Sequence, residues 1–145
     1  MSQDVPGQEF EVSDDADPAI RGAILEGLLA YNRSKVGAPG TRPLHVVVRD
    51  PESGIVIGGL TGRTDKGWLF IELFNLPEEL RGGGLGARLL AAAEAEARAR
   101  GCNGVWLDSY SFQAPEFYKK QGYVEFGAVP DNPTGHTRFF FLKRF

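Results

Sequence analysis

Arg81-Gly82-Gly83-Gly84-Leu85-Gly86 stands between a strand-like run and a helix-like one, and its reading decides the fold. Upstream, Trp68-Leu69-Phe70-Ile71-Glu72-Leu73-Phe74-Asn75-Leu76 is apolar and aromatic enough for a largely buried strand. Downstream, Leu85, Leu89, Leu90, Ala93 and Ala97 recur at helical spacing until Gly101 ends the run. A helix leaves its first four N–H groups without intrahelical partners and gathers positive potential at the same end. Glycines there admit an anion without a β-carbon in the way. Gly82, Gly84 and Gly86 therefore suit a pyrophosphate, and Arg81 would add charge-assisted contacts to it.

Other glycine-rich devices fit less well. A Walker loop ends in Gly-Lys-Ser or Gly-Lys-Thr, whereas this one ends in Gly86-Ala87-Arg88. A dinucleotide fingerprint needs a third glycine where Leu89 stands. A flexible turn with no ligand would use the same glycines, and the loop alone does not separate that reading from a phosphate site.

A chain of 145 residues fits one domain, residues 1–145, and buries roughly 68 to 70% of its unfolded surface. A net charge of -3 with interspersed signs argues against a nucleic-acid surface. One cysteine, Cys102, excludes an internal disulfide and a cysteine-based metal cluster, and its place beside a strand suits packing; no metal is expected. The start of the chain carries neither a signal peptide nor a membrane-spanning pattern, so a cytoplasmic protein without a membrane partner is expected.

Met1 to Gln8 reads as loose. Asp17-Pro18 is a helix start, and Ile20, Ile24, Leu25, Leu28 and Tyr31 form one face of the helix that follows. Pro43 to Asp50 and Ile55 to Leu60 read as strands about the Asp50-Pro51-Glu52-Ser53-Gly54 turn, and Thr64-Asp65-Lys66-Gly67 supplies the next reversal. The meander enters the Trp68 strand. A helix from about Gly84 to Arg100, with Glu94 and Glu96 facing solvent, crosses over to Val105-Trp106-Leu107-Asp108 in a right-handed parallel unit. A short helix from Ala114 to Gln121 and two strands, Tyr123 to Phe126 and Thr137 to Leu142, complete a mixed α/β sheet with helices on both faces.

These segments, taken in order, resemble the GCN5-related N-acetyltransferase (GNAT) superfamily. Arg81-Gly82-Gly83-Gly84-Leu85-Gly86 is similar to its Gln/Arg-x-x-Gly-x-Gly/Ala acetyl-coenzyme A signature, and Phe117-Tyr118-Lys119-Lys120-Gln121-Gly122-Tyr123 to its second signature, with Leu107-Asp108-Ser109-Tyr110-Ser111-Phe112-Gln113-Ala114 before it. The resemblance implies the acyl-CoA N-acyltransferase fold, a central mixed sheet splayed between two parallel strands, those of Trp68 and Val105. Pantetheine would enter the opening, hydrogen-bonded by backbone near Phe74 and Leu76. The N–H groups of Gly82, Gly83, Gly84, Leu85, Gly86 and Ala87 would hold the pyrophosphate.

Acetyl transfer from a thioester to an amine needs a neutral amine, stabilised oxyanion charge and a proton for the departing thiolate. By resemblance Tyr118 is the proton donor, with packing against the coenzyme as its other reading. The backbone N–H near Leu76 would polarise the thioester carbonyl. Glu72 is one candidate base, provided its side chain points into the acceptor cleft, and a bulge expected near Asn75-Leu76 makes that depend on strand parity. Asp108 is the second, with capping of the Ser111 to Gln121 region as its alternative. Asn75 and Ser109 would orient water or acceptor, and His45 and His136 read as structural or surface residues. The expected activity is acetyl transfer from acetyl-CoA to a small-molecule amine or an exposed amino group. A noncatalytic acyl-CoA-binding or regulatory module is the alternative. Phe139, Phe140 and Phe141 fit core packing or the edge of a homodimer.

Overall fold

The computed structural model describes residues 7–145. The expected looseness of the first residues falls, for residues 1–6, outside those described. The backbone divides into a unit that ends at Ala38 and a unit of Pro39–Phe145.

In the first unit, α1 (Pro18–Val36) starts where the capping residues predict. The Asp17 carboxylate accepts the Ala19 N–H at 3.0 Å, and Pro18 occupies the first turn, where its missing N–H costs nothing. Gly37, at φ 77, ends the helix. The stripe of Ile20, Ile24, Leu25, Leu28 and Tyr31 is exposed, and α1 has no buried residue among the described ones.

The second unit is one six-stranded sheet in the order β1-β2-β3-β4-β6-β5. Its strands are β1 (Arg42–Arg49), β2 (Val56–Asp65), β3 (Trp68–Asn75), β4 (Gly104–Tyr110), β5 (Val124–Pro130) and β6 (Thr137–Arg144). The helices are α2 (Leu85–Ala99) and α3 (Pro115–Lys120), with a 3-10 turn at Glu78–Leu80. The sheet is antiparallel everywhere except between β3 and β4. The reversal into β3 is tighter than the sequence suggests: Thr64 and Asp65 still belong to β2, and Lys66 and Gly67 turn the chain with φ 49 and 84, the two-residue hairpin geometry.

α2 brings Leu89, Leu90, Ala93 and Ala97 into one buried core with Leu44 of β1, Leu60 of β2, Leu69 and Ile71 of β3, Val105 and Leu107 of β4 and Phe141 of β6. Each leucine so buried contributes roughly 1.5–3 kcal/mol. Glu94 departs from the expected solvent position: its side chain is 13% exposed and bound to Tyr123 and Lys143, because it follows Leu90 by one helical turn on the inner face. Glu96 faces out and pairs with Arg100 at 2.7 Å.

The parallel β3–β4 pair is closed over only half its length. Cα partners run from Trp68↔Gly104 to Ile71↔Leu107 and stop. Beyond that rung Leu73 and Asn75 stay paired with β2, and Asp108 to Tyr110 stay paired with β6. Each strand follows its outer neighbour and the sheet forks. The bulge lies at Glu72 and not near Asn75-Leu76, because Thr61 opposes Leu73 while Gly62 opposes Ile71, leaving Glu72 as the extra residue. Gly62 allows it: a β-carbon there would lie 2.9 Å from Ile71 Cα.

Candidate active site

Glu72 and Asp108 are the first residues past the last closed rung, one on each arm of the fork. Alternation from Phe70 puts Glu72 on the face that bears Phe70 and Arg63, and its Oε2 lies 3.7 Å from Arg63 Nη1 with the side chain 58% exposed. Asp108 is held more closely. Its Oδ1 accepts from Arg138 Nε at 2.9 Å with the side chain 15% exposed, and the guanidinium lies over the rings of Tyr110 and Phe140. That bond raises the pKa of Arg138 further, chiefly through the hydrogen bond to Asp108.

Asp108 is therefore not the cap of α3. The helix begins at Ala114 without a side-chain cap among the described residues, and Pro115 fills its first turn. The preceding loop is fastened by Ser109 Oγ, which accepts the Ala114 N–H at 3.4 Å, and by Gln113 Oε1, which accepts the Tyr110 N–H at 2.8 Å. His45 Nδ1 is paired with Thr61 Oγ1 at 2.6 Å and His136 Nδ1 with Ser111 Oγ at 3.2 Å, so both histidines are engaged on exposed loop and strand edges.

α3 brings Tyr118 to the fork. Its ring is packed edge-on against Phe74 at 6.4 Å, beside Phe117 at 5.1 Å and over Phe141 at 6.0 Å. The hydroxyl has no hydrogen-bond partner among the described residues. Among the described residues no fully buried side-chain oxygen is left unpaired, so this one is not sealed from solvent by them. Burial of the ring pushes the hydroxyl pKa up to about 12, and the negative charge of Asp108 adds to the shift.

The glycine-rich turn lies at the head of α2. Gly82 and Gly84 adopt φ 82 and 84, a region that favours glycine, and a β-carbon on either would meet nothing within 4 Å. Gly84 is the N-cap and has no side chain to accept the first amides of α2, which leaves them for a ligand. Gly86 lies against Phe117, whose Cζ would stand 3.4 Å from a β-carbon there. The Arg81 side chain turns back: Nε donates to the Leu76 carbonyl at 2.8 Å and Nη2 to Asn75 Oδ1 at 3.5 Å. The residues present fit a diphosphate and an extended amide chain, since β3 offers unpaired backbone toward the fork and the turn offers amides without obstructing side chains.

A shallow groove of about 270 Å³ lined by Trp68, Trp106, Phe126 and Leu142 lies at the closed end of the β3–β4 pair, away from these groups. Among the described residues no cluster of three or more His, Cys, Asp or Glu is arranged to hold a metal ion, and no helix is long and apolar enough to cross a membrane.

Sequence reasoning missed Arg63, Arg138 and the inward Glu94. Each arginine lies on the strand beside that of its acid, and no local pattern marks it. Glu94 alone carried a signal, its four-residue offset from Leu90.

A mixed sheet that opens between its two parallel strands in front of a glycine-rich helix start is the architecture of the acyl-CoA N-acyltransferases. The chain belongs to the acetyltransferase (GNAT) family, whose model matches residues 13–123, and it is an enzyme of that class. It is 37% identical over 136 residues to Acetyltransferase Atu2258 of Agrobacterium fabrum, covering 94% of this chain and 98% of that one. It is 35% identical over 133 residues to the blasticidin-S acetyltransferase of Streptomyces morookaense, covering 91% and 92%. A crystal structure of an acetyltransferase from Bacillus cereus superposes with a TM-score of 0.83 at 36% identity, over 93% of this chain and 98% of that chain.

Proposed function

We propose that the protein transfers the acetyl group of acetyl-CoA to the primary amine of a small molecule, by direct attack of the amine on the thioester. The observation that carries this reading is the fork: backbone of Glu72 to Asn75 unpaired toward β4, beside the amides at the head of α2. Glu72, Leu73 and Asn75 are exposed, so their open backbone groups are accessible to an extended chain, and a pantetheine amide chain is one that would pair with them. The coenzyme contributes an activated thioester, and this chain does the rest.

Backbone at Phe74 and Leu76 takes the pantetheine. The Leu76 carbonyl retains a second lone pair after accepting from Arg81. The amides of Gly82, Gly83, Gly84, Leu85, Gly86 and Ala87 take the pyrophosphate, with Arg81 at the turn's edge. Glu72 is the base, because its carboxylate is exposed and only loosely paired. Asp108, bonded to Arg138, fixes the ammonium or hydroxyl groups of the acceptor. Tyr118 donates a hydrogen bond to the departing sulfur. Full transfer from a hydroxyl near 12 to a thiolate of ordinary pKa, about 8.5, would cost about 5 kcal/mol. Glu72 takes the first proton of the ammonium, and Tyr118 gives its proton to the sulfur only as the second proton lost by the acetylated nitrogen replaces it, so no tyrosinate persists. The name of the Streptomyces relative supports an acceptor of the antibiotic-amine class.

Calorimetric titration with acetyl-CoA, followed by thiol release in the presence of blasticidin S, an arylalkylamine or a lysine peptide, tests the reading. Amine-dependent thiol release with blasticidin S or the arylalkylamine supports it, and release with the peptide alone would overturn the small-molecule acceptor. Binding without such release would overturn it.

A further inference from the structure

α3 spans only Pro115–Lys120, too short to hold its own orientation, and it carries the proposed proton donor. What fixes Tyr118 lies after it. The Tyr118 carbonyl accepts the N–H groups of both Gln121 and Tyr123 at 3.0 Å. Tyr123 folds back beneath Tyr118, with ring centroids 6.0 Å apart, and its hydroxyl donates to Glu94 Oε2 at 2.7 Å. Glu94 Oε1 accepts from Lys143 Nζ at 3.0 Å, and the same ammonium donates to the Gln121 carbonyl at 3.0 Å. Both residues that grip the Tyr118 carbonyl are thus tied to one carboxylate, Tyr123 directly and Gln121 through Lys143. That carboxylate stands on α2, the helix whose first turn forms the glycine-rich site.

We propose that Glu94 is a positioning residue for Tyr118, locking the turn after α3 to the coenzyme-binding helix so that the tyrosine hydroxyl is held at the fork. Two charge-assisted hydrogen bonds compensate the nearly buried carboxylate, and their geometry transmits the placement of α2 to α3. This rests on the proposed role of Tyr118, and the experiment separates the two. Glu94→Gln keeps volume and shape while removing the charge that holds Lys143. With acetyl-CoA and the fastest acceptor of the panel above, it should lower kcat about ten- to hundredfold and leave KM for acetyl-CoA within about twofold.

In a Tyr118→Phe background the same change should have no further effect on kcat, because the group it positions is gone. An equal fall in both backgrounds, or an unchanged kcat in the wild-type background, would overturn the inference alone. A Tyr118→Phe enzyme with wild-type turnover would overturn the role of Tyr118 and this inference with it. If Glu94→Gln does not fold, Tyr123→Phe cuts one arm of the network, and it should show the same dependence on Tyr118 at smaller amplitude.

Discussion

Asp108 Oδ1 and Arg138 Nε are joined at 2.9 Å on the arm of the fork formed by β4 and β6. On the other arm Glu72 and Arg63 stand 3.7 Å apart in a more exposed setting. The two acids follow the last closed rung under different restraint, and the difference divides the roles proposed for them.

The Asp108 oxygen is already committed to a guanidinium, whereas the more exposed and loosely paired Glu72 carboxylate can reach an incoming amine. Glu72→Gln should therefore lower kcat by about a hundredfold or more, within the span of general-base losses. Asp108→Asn should chiefly raise KM for the amine. Steady-state kinetics of both variants decides the matter: a collapse of kcat confined to Asp108→Asn would move the base to β4.

Glycine substitutions at the turn separate backbone strain from steric block. At Gly84, with φ 84 and open space around it, a β-carbon meets no neighbour, so the cost of Gly84→Ala is conformational, roughly 1–2 kcal/mol. That strain falls on the N-cap of α2, whose amides face the proposed diphosphate. Gly83 is equally unobstructed and lies outside the positive-φ region. Gly84→Ala should lower the melting temperature and weaken acetyl-CoA binding about tenfold, while Gly83→Ala keeps the wild-type melting temperature. Equal melting temperatures in all three proteins would show that the turn relaxes and that φ is not what selects glycine here.

Much of the forked sheet was legible because its signals are local. The run Trp68 to Leu76, the glycines from Gly82 to Gly86 and the stripe Leu89, Leu90, Ala93, Ala97 each specify an element without knowledge of the rest of the chain. The bulge was not, because strand alternation around Glu72-Leu73 reads equally well in either register, and the cause lies across the sheet at Gly62. Nor were the ion pairs. Arg138 is 30 residues from Asp108, and Lys143 is 49 from Glu94, so neither partnership has a sequence spacing to betray it. Capping of the short helix stood as the alternative role of Asp108 for the same reason: the nearer partner in sequence was not the nearer one in space.

Leu90 is 1% exposed on the inner face of α2, within the core that the helix shares with the sheet. Leu90→Ala should destabilise the fold by about 2–5 kcal/mol, since the surrounding strands are hydrogen-bonded and cannot collapse into the cavity. Urea unfolding with an unchanged m-value and a lowered midpoint is the expected result. A loss below 1 kcal/mol would mean that α2 is not seated on the sheet as described.

The Tyr118 hydroxyl also links stability to pH. Its pKa rises from an ordinary 10.0 to about 12, through burial first and the Asp108 charge second. The folded chain keeps a proton that the unfolded chain releases above pH 10. The stabilising contribution is therefore complete below that pH and is lost as pH climbs toward 12. One unit into that window the loss is about 1.4 kcal/mol. Tyr123 is shifted in the same direction by burial and by its bond to Glu94, so alkaline unfolding has more than one source. Tyr118→Phe removes one of them. Urea unfolding at about pH 9 and about pH 11 should show a smaller alkaline loss in Tyr118→Phe than in the wild type, by about 1 kcal/mol. Identical losses in the two proteins would show that the hydroxyl ionises as freely in the folded chain as in the unfolded one, and would remove the buried setting from which its role as donor is argued.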